Sequence, residues 1–326
     1  MSAQIPSSQA TLIFDMMSQI GHVRLNRFYL ANVFSTNAGF FISEDLTEEY
    51  MGLGLDVYPL GKKPCGSSYF ERLALALNVL RIIRQENARN VVFLSYDLGT
   101  LPLVSNVLQL MGVSVTCFEH NTAPSSKLRG LFHKLSARSL RRLVYTPYLK
   151  DLYESLGLEA EYVPHPCLPC ETEPDGSYEW TSIVAKHSDR YTKTGFCPSS
   201  SVTVPQMEEV ACLYPDVLFV MKSKETSRLA NLLSAPFFEF YGNAIKQCDF
   251  VVIPFVSDHK VSGPVFEAIA MGKPILVLQN LFGKYIKSYF AEQIFFSGEP
   301  IPTDFIAVDC RHFNQEVMRL CGKNMP

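Results

Sequence analysis

The chain has 326 residues, 47% hydrophobic and 19% charged. At about 100–200 residues per domain that is enough apolar sequence for two globular units, and it excludes a disordered polymer. Lys and Arg number 29 against 32 Asp and Glu, a formal net charge of −3, so the general positive field of a non-specific nucleic-acid binder is absent. No apolar run reaches the roughly 18 residues of a membrane span, and residues 1–8 lack the basic and apolar parts of a secretion signal. A cytoplasmic protein is expected. The nine cysteines are odd in number and sit mostly in apolar runs, as at Cys117, Cys212, Cys248 and Cys310, so they read as buried hydrophobes in a reducing compartment without a disulfide framework.

Short apolar runs alternate with stretches of helical period along the chain, the pattern of an α/β protein with helices covering parallel sheets. In the first half, strands are predicted at residues 11–17, 38–43, 55–60, 90–96, 114–120 and 142–146, with a short last one at 162–164. Helices are predicted at 23–34, 67–85, 100–110, 126–139 and 148–156. The clearest carries Leu73, Leu77, Leu80 and Ile83 at three- and four-residue steps. Pro164, Pro166, Pro169, Pro174 and Gly176 then crowd into a stretch with little apolar content, as linkers do. The expected division is a Rossmann-like domain at 1–166, a linker at 167–179 and a second Rossmann-like domain at 180–326. In the latter, strands are predicted at 181–185, 217–221, 237–241, 250–254, 274–278, 294–296 and 305–308. Two such units are expected to face each other across a cleft, with ligands at the carboxyl ends of the strands.

Three places in the first half could carry chemistry. Gly21 follows the first strand and opens a helix, where it either lets a ligand approach the free N–H groups or only makes a tight turn. The three-glycine dinucleotide fingerprint is absent. His120, at the carboxyl end of the 114–120 strand, either meets a substrate hydroxyl or satisfies a loop carbonyl. His22, His133 and His312 are read as capping or surface residues. From Lys127 to Arg142 there are six cations, Lys127, Arg129, Lys134, Arg138, Arg141 and Arg142, no acidic residue, and interleaved Leu128, Leu131, Phe132, Leu135 and Leu140. This is either a basic amphipathic surface for an anionic membrane or a solvated helix face. It lacks the interleaved aromatics that stack nucleic-acid bases.

Cys167 and Cys170 form a CxxC with His165 nearby, but no fourth ligand with zinc-site spacing exists, so no metal site is expected. Further on, Lys186, His187, Arg190, Lys193 and Gly195 read as a cationic loop at a strand's carboxyl end. Ser262-Gly263-Pro264 opens a helix, with Ser262 as N-cap and Pro264 in the first turn, so free N–H groups face an anion. Glu267 lies close behind, and Gly272 and Pro274 end the helix.

The run FEAIAMGKPIL at 266–276 closely resembles the donor-site helix of GT-B glycosyltransferases of family 4, the group that includes bacterial surface-polysaccharide enzymes. The resemblance extends over nearly the whole chain: the Gly21 turn, the His120 turn, Tyr162-Val163-Pro164-His165-Pro166 and the lysines at 186 and 193 each resemble family features. It implies that Glu267 holds the ribose hydroxyls of a nucleoside diphosphate sugar. Lys186 or Arg190 with Lys193 would neutralise the diphosphate, and the Ser262-Gly263 backbone would cradle it. His120 would contact the transferred sugar, and Gly21 would leave room for phosphate or acceptor. The family's second glutamate, eight positions before Glu267, is replaced by His259, beside Asp258 and Lys260. Either His259 or Asp258 takes its role, or the sugar is held differently.

The resemblance implies a transferase that moves a sugar, with retention and without a metal cofactor, to a glycan or lipid-linked acceptor at the cytoplasmic membrane face. Two other readings are a nucleotide-sugar epimerase of the same architecture, which needs further acid/base carboxylates that no spacing reveals, and a sugar-nucleotide-binding subunit without turnover.

Overall fold

The computed structural model describes residues 11–17, 20–34, 38–54, 56–61, 68–120, 122–173, 177–238, 241–256, 259–302 and 304–323. Two compact units emerge, one running to Pro164 and taking in the chain again from Gln315, the other spanning His165–Asn314.

In the first unit seven strands form one parallel sheet: β1 (Thr11–Asp15), β2 (Gly39–Ser43), β3 (Asp56–Gly61), β4 (Asn90–Ser95), β5 (Ser114–Glu119), β6 (Arg141–Val144) and β7 (Glu161–Tyr162). Their order, β3-β2-β1-β4-β5-β6-β7, reverses direction between β1 and β4, the switch point of a doubly wound sheet. Buried on both faces, the central strands read as unbroken apolar runs: Leu12, Ile13 and Phe14 are inaccessible, and Phe14 stacks on Phe41 at 5.0 Å. Helices α1 (Val23–Asn32), α2 (Tyr69–Gln85), α3 (Leu101–Leu110), α4 (Lys127–Leu135) and α5 (Pro147–Ser155) connect them. The start of α2 is fixed by Ser68, whose hydroxyl accepts from the Glu71 N–H at 3.4 Å.

The second unit holds β8 (Lys193–Cys197), β9 (Val217–Lys222), β10 (Leu232–Ala235), β11 (Phe250–Ile253), β12 (Ile275–Val277) and β13 (Ile294–Phe296), in parallel order β10-β9-β8-β11-β12-β13. Its helices are α6 (Ser177–Val184), α7 (Val204–Leu213), α8 (Tyr241–Gln247), α9 (Gly263–Ala270) and α10 (Leu281–Tyr289), and α11 (Cys310–Lys323) begins in this unit.

Several expectations are corrected. Residues 181–184 belong to a helix, not a strand: a short β-branched run does not by itself distinguish the two. The first strand is instead β8, which sequence reasoning passed over because Gly195 and flanking polar residues interrupt it. The glycine is required there, since a Cβ would come within 2.8 Å of the Phe250 ring. The strand expected at 237–241 lies earlier, as β10, and none forms at the described residues of 305–308.

The Pro-rich stretch is not a free linker either. Cys167 and Cys170 are buried, and the Asn314 amide brackets Cys167, donating to its carbonyl and accepting from its N–H, each at 2.8 Å. Asn243 brackets Glu173 in the same way, at 2.6 and 2.9 Å. Next to it, a Cβ at Gly242 would overlap the Glu171 carbonyl, so α8 presses directly on this segment. The residues from Gln315 pack with the first unit rather than the second, where buried Cys321 lies near Tyr145.

Candidate functional site

The carboxyl ends of the second sheet gather the groups best suited to a ligand. Beyond β11 the chain passes His259 and reaches α9, whose N-cap position is Ser262 in extended backbone. The serine hydroxyl does not cap its helix. It is 5% exposed and has no hydrogen-bond partner among the described residues. A buried hydroxyl left unsatisfied costs about 1–3 kcal/mol, so it marks a place where a polar group is missing. Pro264 sits in the first turn, where its absent N–H costs nothing. A Cβ added at Gly263 would meet nothing within 4 Å, so the space above this helix end is open.

Glu267, the fifth residue of α9, is half-buried. The Tyr241 hydroxyl, from the first residue of α8, donates to its Oε2. Burial first, and the neighbouring Glu267 second, push the Tyr241 pKa well above its ordinary value, so the phenol stays a donor. One carboxylate oxygen is thereby held by a residue of a different helix. His259 is a half-buried turn residue just before α9, and Asp258 lies outside the described residues.

The expected cationic loop is not where sequence reasoning put it. Lys186 follows helix α6, Arg190 ends a short 3-10 turn, and Lys193 opens β8, so all three lead into the amino end of the sheet. Lys193 Nζ donates to the carbonyls of Ile301 and Pro302, each at 3.3 Å. Cations at carboxyl ends include Lys222, the last residue of β9, and Lys224. With Ser200, Thr203, Ser223 and Pro236 they line a cavity of about 360 Å³ at the ends of β8, β9 and β10. Lys222 Nζ lies 5.8 Å from the Phe237 ring centroid, and that ring is 65% exposed. The signal was legible, because a predicted apolar strand runs directly into Lys-Ser-Lys.

At the carboxyl ends of the first sheet, Gly21 lies in a 3-10 turn between β1 and α1, is exposed, and would accept a Cβ without contact within 4 Å. The turn therefore does not itself demand glycine. His120 follows β5 and is half-buried; the Tyr145 hydroxyl is 3.3 Å from its Nε2. Its ring stacks on His22 at 5.2 Å. Sequence reasoning had set His22 aside, because nothing local signals that the turns after β1 and β5 bring two imidazoles together.

Carboxylates also occupy these strand ends, though no spacing revealed them. Asp15 accepts from Asn26 Nδ2 at 2.5 Å and from the Ser95 hydroxyl. Asp97 pairs with Arg72 at 3.1 Å and accepts from the Thr100 N–H at 2.9 Å. Glu119 accepts from the Tyr96 hydroxyl at 2.5 Å and from Thr122. All three are buried and engaged in internal hydrogen bonds.

The basic stretch divides. Helix α4 ends at Leu135, and Lys127, Lys134 and Arg138 are exposed beside Leu128, Leu131 and Leu135, which are 62%, 50% and 55% exposed. Arg141 pairs with Glu161 at 3.0 Å, and Arg142 is wholly buried, donating to the carbonyls of Leu140 and His133 at 3.1 and 3.3 Å. Arg142 is therefore not part of a surface patch, and the charge of the half-buried Arg141 is met by Glu161, which corrects the expectation for these two. Among the described residues no helix is long and apolar enough to cross a membrane, and no group of three or more His, Cys, Asp or Glu could hold a metal.

No protein-family model matches the sequence, and no curated protein is similar to it at the sequence level. Solved structures are similar in fold. Alr3699/HepE of Anabaena, in complex with UDP and glucose, is 11% identical with a TM-score of 0.64, covering 97% of this chain and 89% of its own. A glycosyltransferase from Rickettsia africae is 11% identical with a TM-score of 0.60, covering 97% and 93%. A putative UDP-N-acetylglucosamine 2-epimerase from Listeria monocytogenes is 11% identical with a TM-score of 0.53, covering 96% and 88%. The class this defines is architectural: two parallel-sheet α/β units of the GT-B fold, which glycosyltransferases and nucleotide-sugar epimerases share.

Proposed function

We propose that the protein is a glycosyltransferase that takes a sugar from a nucleoside diphosphate donor and delivers it, with retention, to a glycan or lipid-linked saccharide. The observation that carries this reading is Glu267, aimed by Tyr241, close behind a helix start where the Ser262 hydroxyl is buried without a partner. A carboxylate accepts from two ribose hydroxyls, and a helix N-terminus with an unsatisfied hydroxyl suits a diphosphate. In this reading Ser262 and Gly263 cradle the phosphates, and His259 or Asp258 faces the sugar. Lys222 and Lys224 replace Lys186, Arg190 and Lys193 as the cations that meet charge on the departing diphosphate. No metal is needed for that neutralisation. On the first unit, His120 with His22 serves the reacting sugar and acceptor, and open space at Gly21 admits them.

Transfer is favoured over epimerisation because Asp15, Asp97 and Glu119, the carboxylates at the first sheet's strand ends, are already engaged by internal donors. We also place the protein in the cytoplasm and on the inner face of the cell membrane, through the exposed leucines and cations of α4. The Rickettsia glycosyltransferase and the UDP-bound HepE support the donor class as likenesses of fold.

The test is incubation with a panel of UDP-sugars and lipid-linked acceptors, reading nucleotide release and acceptor mass separately. Release of UDP with a sugar added to the acceptor is the expected result. Isomerised nucleotide sugar without transfer would replace this reading with the epimerase, and nucleotide-sugar binding without either product would replace it with a non-catalytic subunit.

A further inference from the structure

In the turn that carries His120, buried groups of the first unit converge on one residue, Thr122. Its hydroxyl donates to Glu119 Oε2, which also accepts from the Tyr96 hydroxyl at 2.5 Å, and the Tyr96 oxygen lies 2.9 Å from Thr122 Oγ1. On the other side, His133 Nε2 donates to the Thr122 carbonyl at 2.8 Å. A carbonyl only accepts, so Nε2 carries the proton and Nδ1 the lone pair. That Nδ1 is buried and has no partner among the described residues.

His133, expected from the sequence to cap a helix or face solvent, is inaccessible. It lies on α4, where Arg142 of β6 donates to its backbone carbonyl at 3.3 Å and Tyr153 of α5 packs edge-on against its ring at 5.1 Å. Glu119, the last residue of β5, and Tyr96, which follows β4, are buried as well. Turn residues ordinarily leave their polar groups to water. Apolar side chains of similar volume generally stabilise a core as well as buried ionisable groups do. What this acid and imidazole add is a fixed conformation for the segment two residues past His120.

We propose that His133, with Glu119 as its counterpart, is a positioning residue that clamps Thr122 from both sides and so holds the His120 turn for the reacting sugar and acceptor. What the held turn does rests on the glycosyltransferase reading; the clamp itself rests on the hydrogen bonds. Neither residue touches substrate. Their effect is on placement, and a displacement of about 1 Å at a reacting group lowers a rate by about a hundredfold.

The test compares His133→Phe, which keeps a ring but no donor, with His133→Gln, whose side-chain N–H reaches toward the position of Nε2. Hydrogen exchange is read on peptides covering residues 119–126, beside UDP affinity and kcat for sugar transfer. In His133→Phe the turn should exchange at least about tenfold faster and kcat should fall at least about tenfold. UDP affinity should not change, since UDP meets only the second unit in this reading. His133→Gln should regain most of both losses, a rescue that packing alone would not produce. Thr122→Val, at a half-buried position, removes the hydroxyl grip without opening the core and should also speed exchange of the turn. Turn exchange unchanged in His133→Phe and Thr122→Val would overturn the assignment. So would equal impairment in the Phe and Gln variants, or a kcat in folded His133→Phe within about twofold of the unsubstituted protein. If the unsubstituted protein transfers no sugar, the glycosyltransferase reading fails instead, and the exchange difference alone decides the clamp.

Discussion

The Tyr241 hydroxyl donates to Glu267 Oε2, so the carboxylate on α9 is aimed by a residue of α8 rather than by its own helix. Removing either partner separates aim from charge. In Glu267→Gln the charge-assisted bonds to the ribose are lost, each worth about 1.5–3 kcal/mol, so donor affinity should fall at least about tenfold. In Tyr241→Phe the charge remains but this hold on the carboxylate is lost, and a smaller loss is expected. Equal losses in the two, measured by calorimetry, would contradict the positioning role of Tyr241.

Gly263 and Gly21 test whether open space is reserved for ligand. A Cβ at either meets nothing within 4 Å, so alanine should leave the melting temperature within about 2 °C, as a substitution worth roughly 0.5 kcal/mol does. Donor binding should drop in Gly263→Ala, where the methyl group enters the proposed phosphate cradle. Unchanged binding would remove Gly263 from the site.

Helix α4 with the turn after it, and strand β6, carry neighbouring cations with opposite roles. Glutamate at Lys127, Lys134 and Arg138 should release the protein from anionic vesicles, since each cation near such a surface contributes about 1 kcal/mol. Arg142→Ala should leave vesicle binding alone but destabilise the fold by about 2–4 kcal/mol, from a cavity and two abandoned carbonyls. Vesicle flotation and urea denaturation separate the two effects.

Stability should fall away at both ends of the pH scale. Burial, chiefly, pulls the His133 pKa below its usual value, and its Nδ1 has no partner among the described residues. The unfolded chain therefore takes up this proton first, so stability is full above about pH 6.5 and declines below it. On the alkaline side, burial raises the thiols of Cys197, Cys248 and Cys321 to about 12. The unfolded thiols ionise first, and stability should decline above about pH 9. His133→Gln should flatten the acid limb of the urea-midpoint profile, and an unchanged limb would assign it to other groups.

The alternation of apolar runs with helical periods made the α/β class and all seven strands of the first sheet legible, because central parallel strands are continuous apolar runs. It failed at β8, where Lys193, Thr194 and Gly195 break the run, and at 181–184, where a β-branched segment forms a helix. That single misplacement carried Lys186, Arg190 and Lys193 to the wrong end of the sheet. Ser262, Gly263 and Glu267 were readable because capping and helix-end chemistry are local. The Tyr241–Glu267 bond and the His22–His120 stack join distant segments, and no local pattern encodes them.

If charge on the departing diphosphate is met by Lys222, Lys224 and helix N–H groups, turnover should persist after exhaustive treatment with EDTA. Loss of turnover restored by magnesium or manganese would require a metal in its place.

The most direct measurement of the central claim is calorimetric titration of the full chain and of Glu267→Gln with UDP and a UDP-hexose. Saturable binding to the unsubstituted protein, at least about tenfold weaker in the variant at unchanged thermal stability, is the predicted result. Equal affinity in the two proteins would contradict the placement of a nucleoside diphosphate sugar on the face built around Glu267.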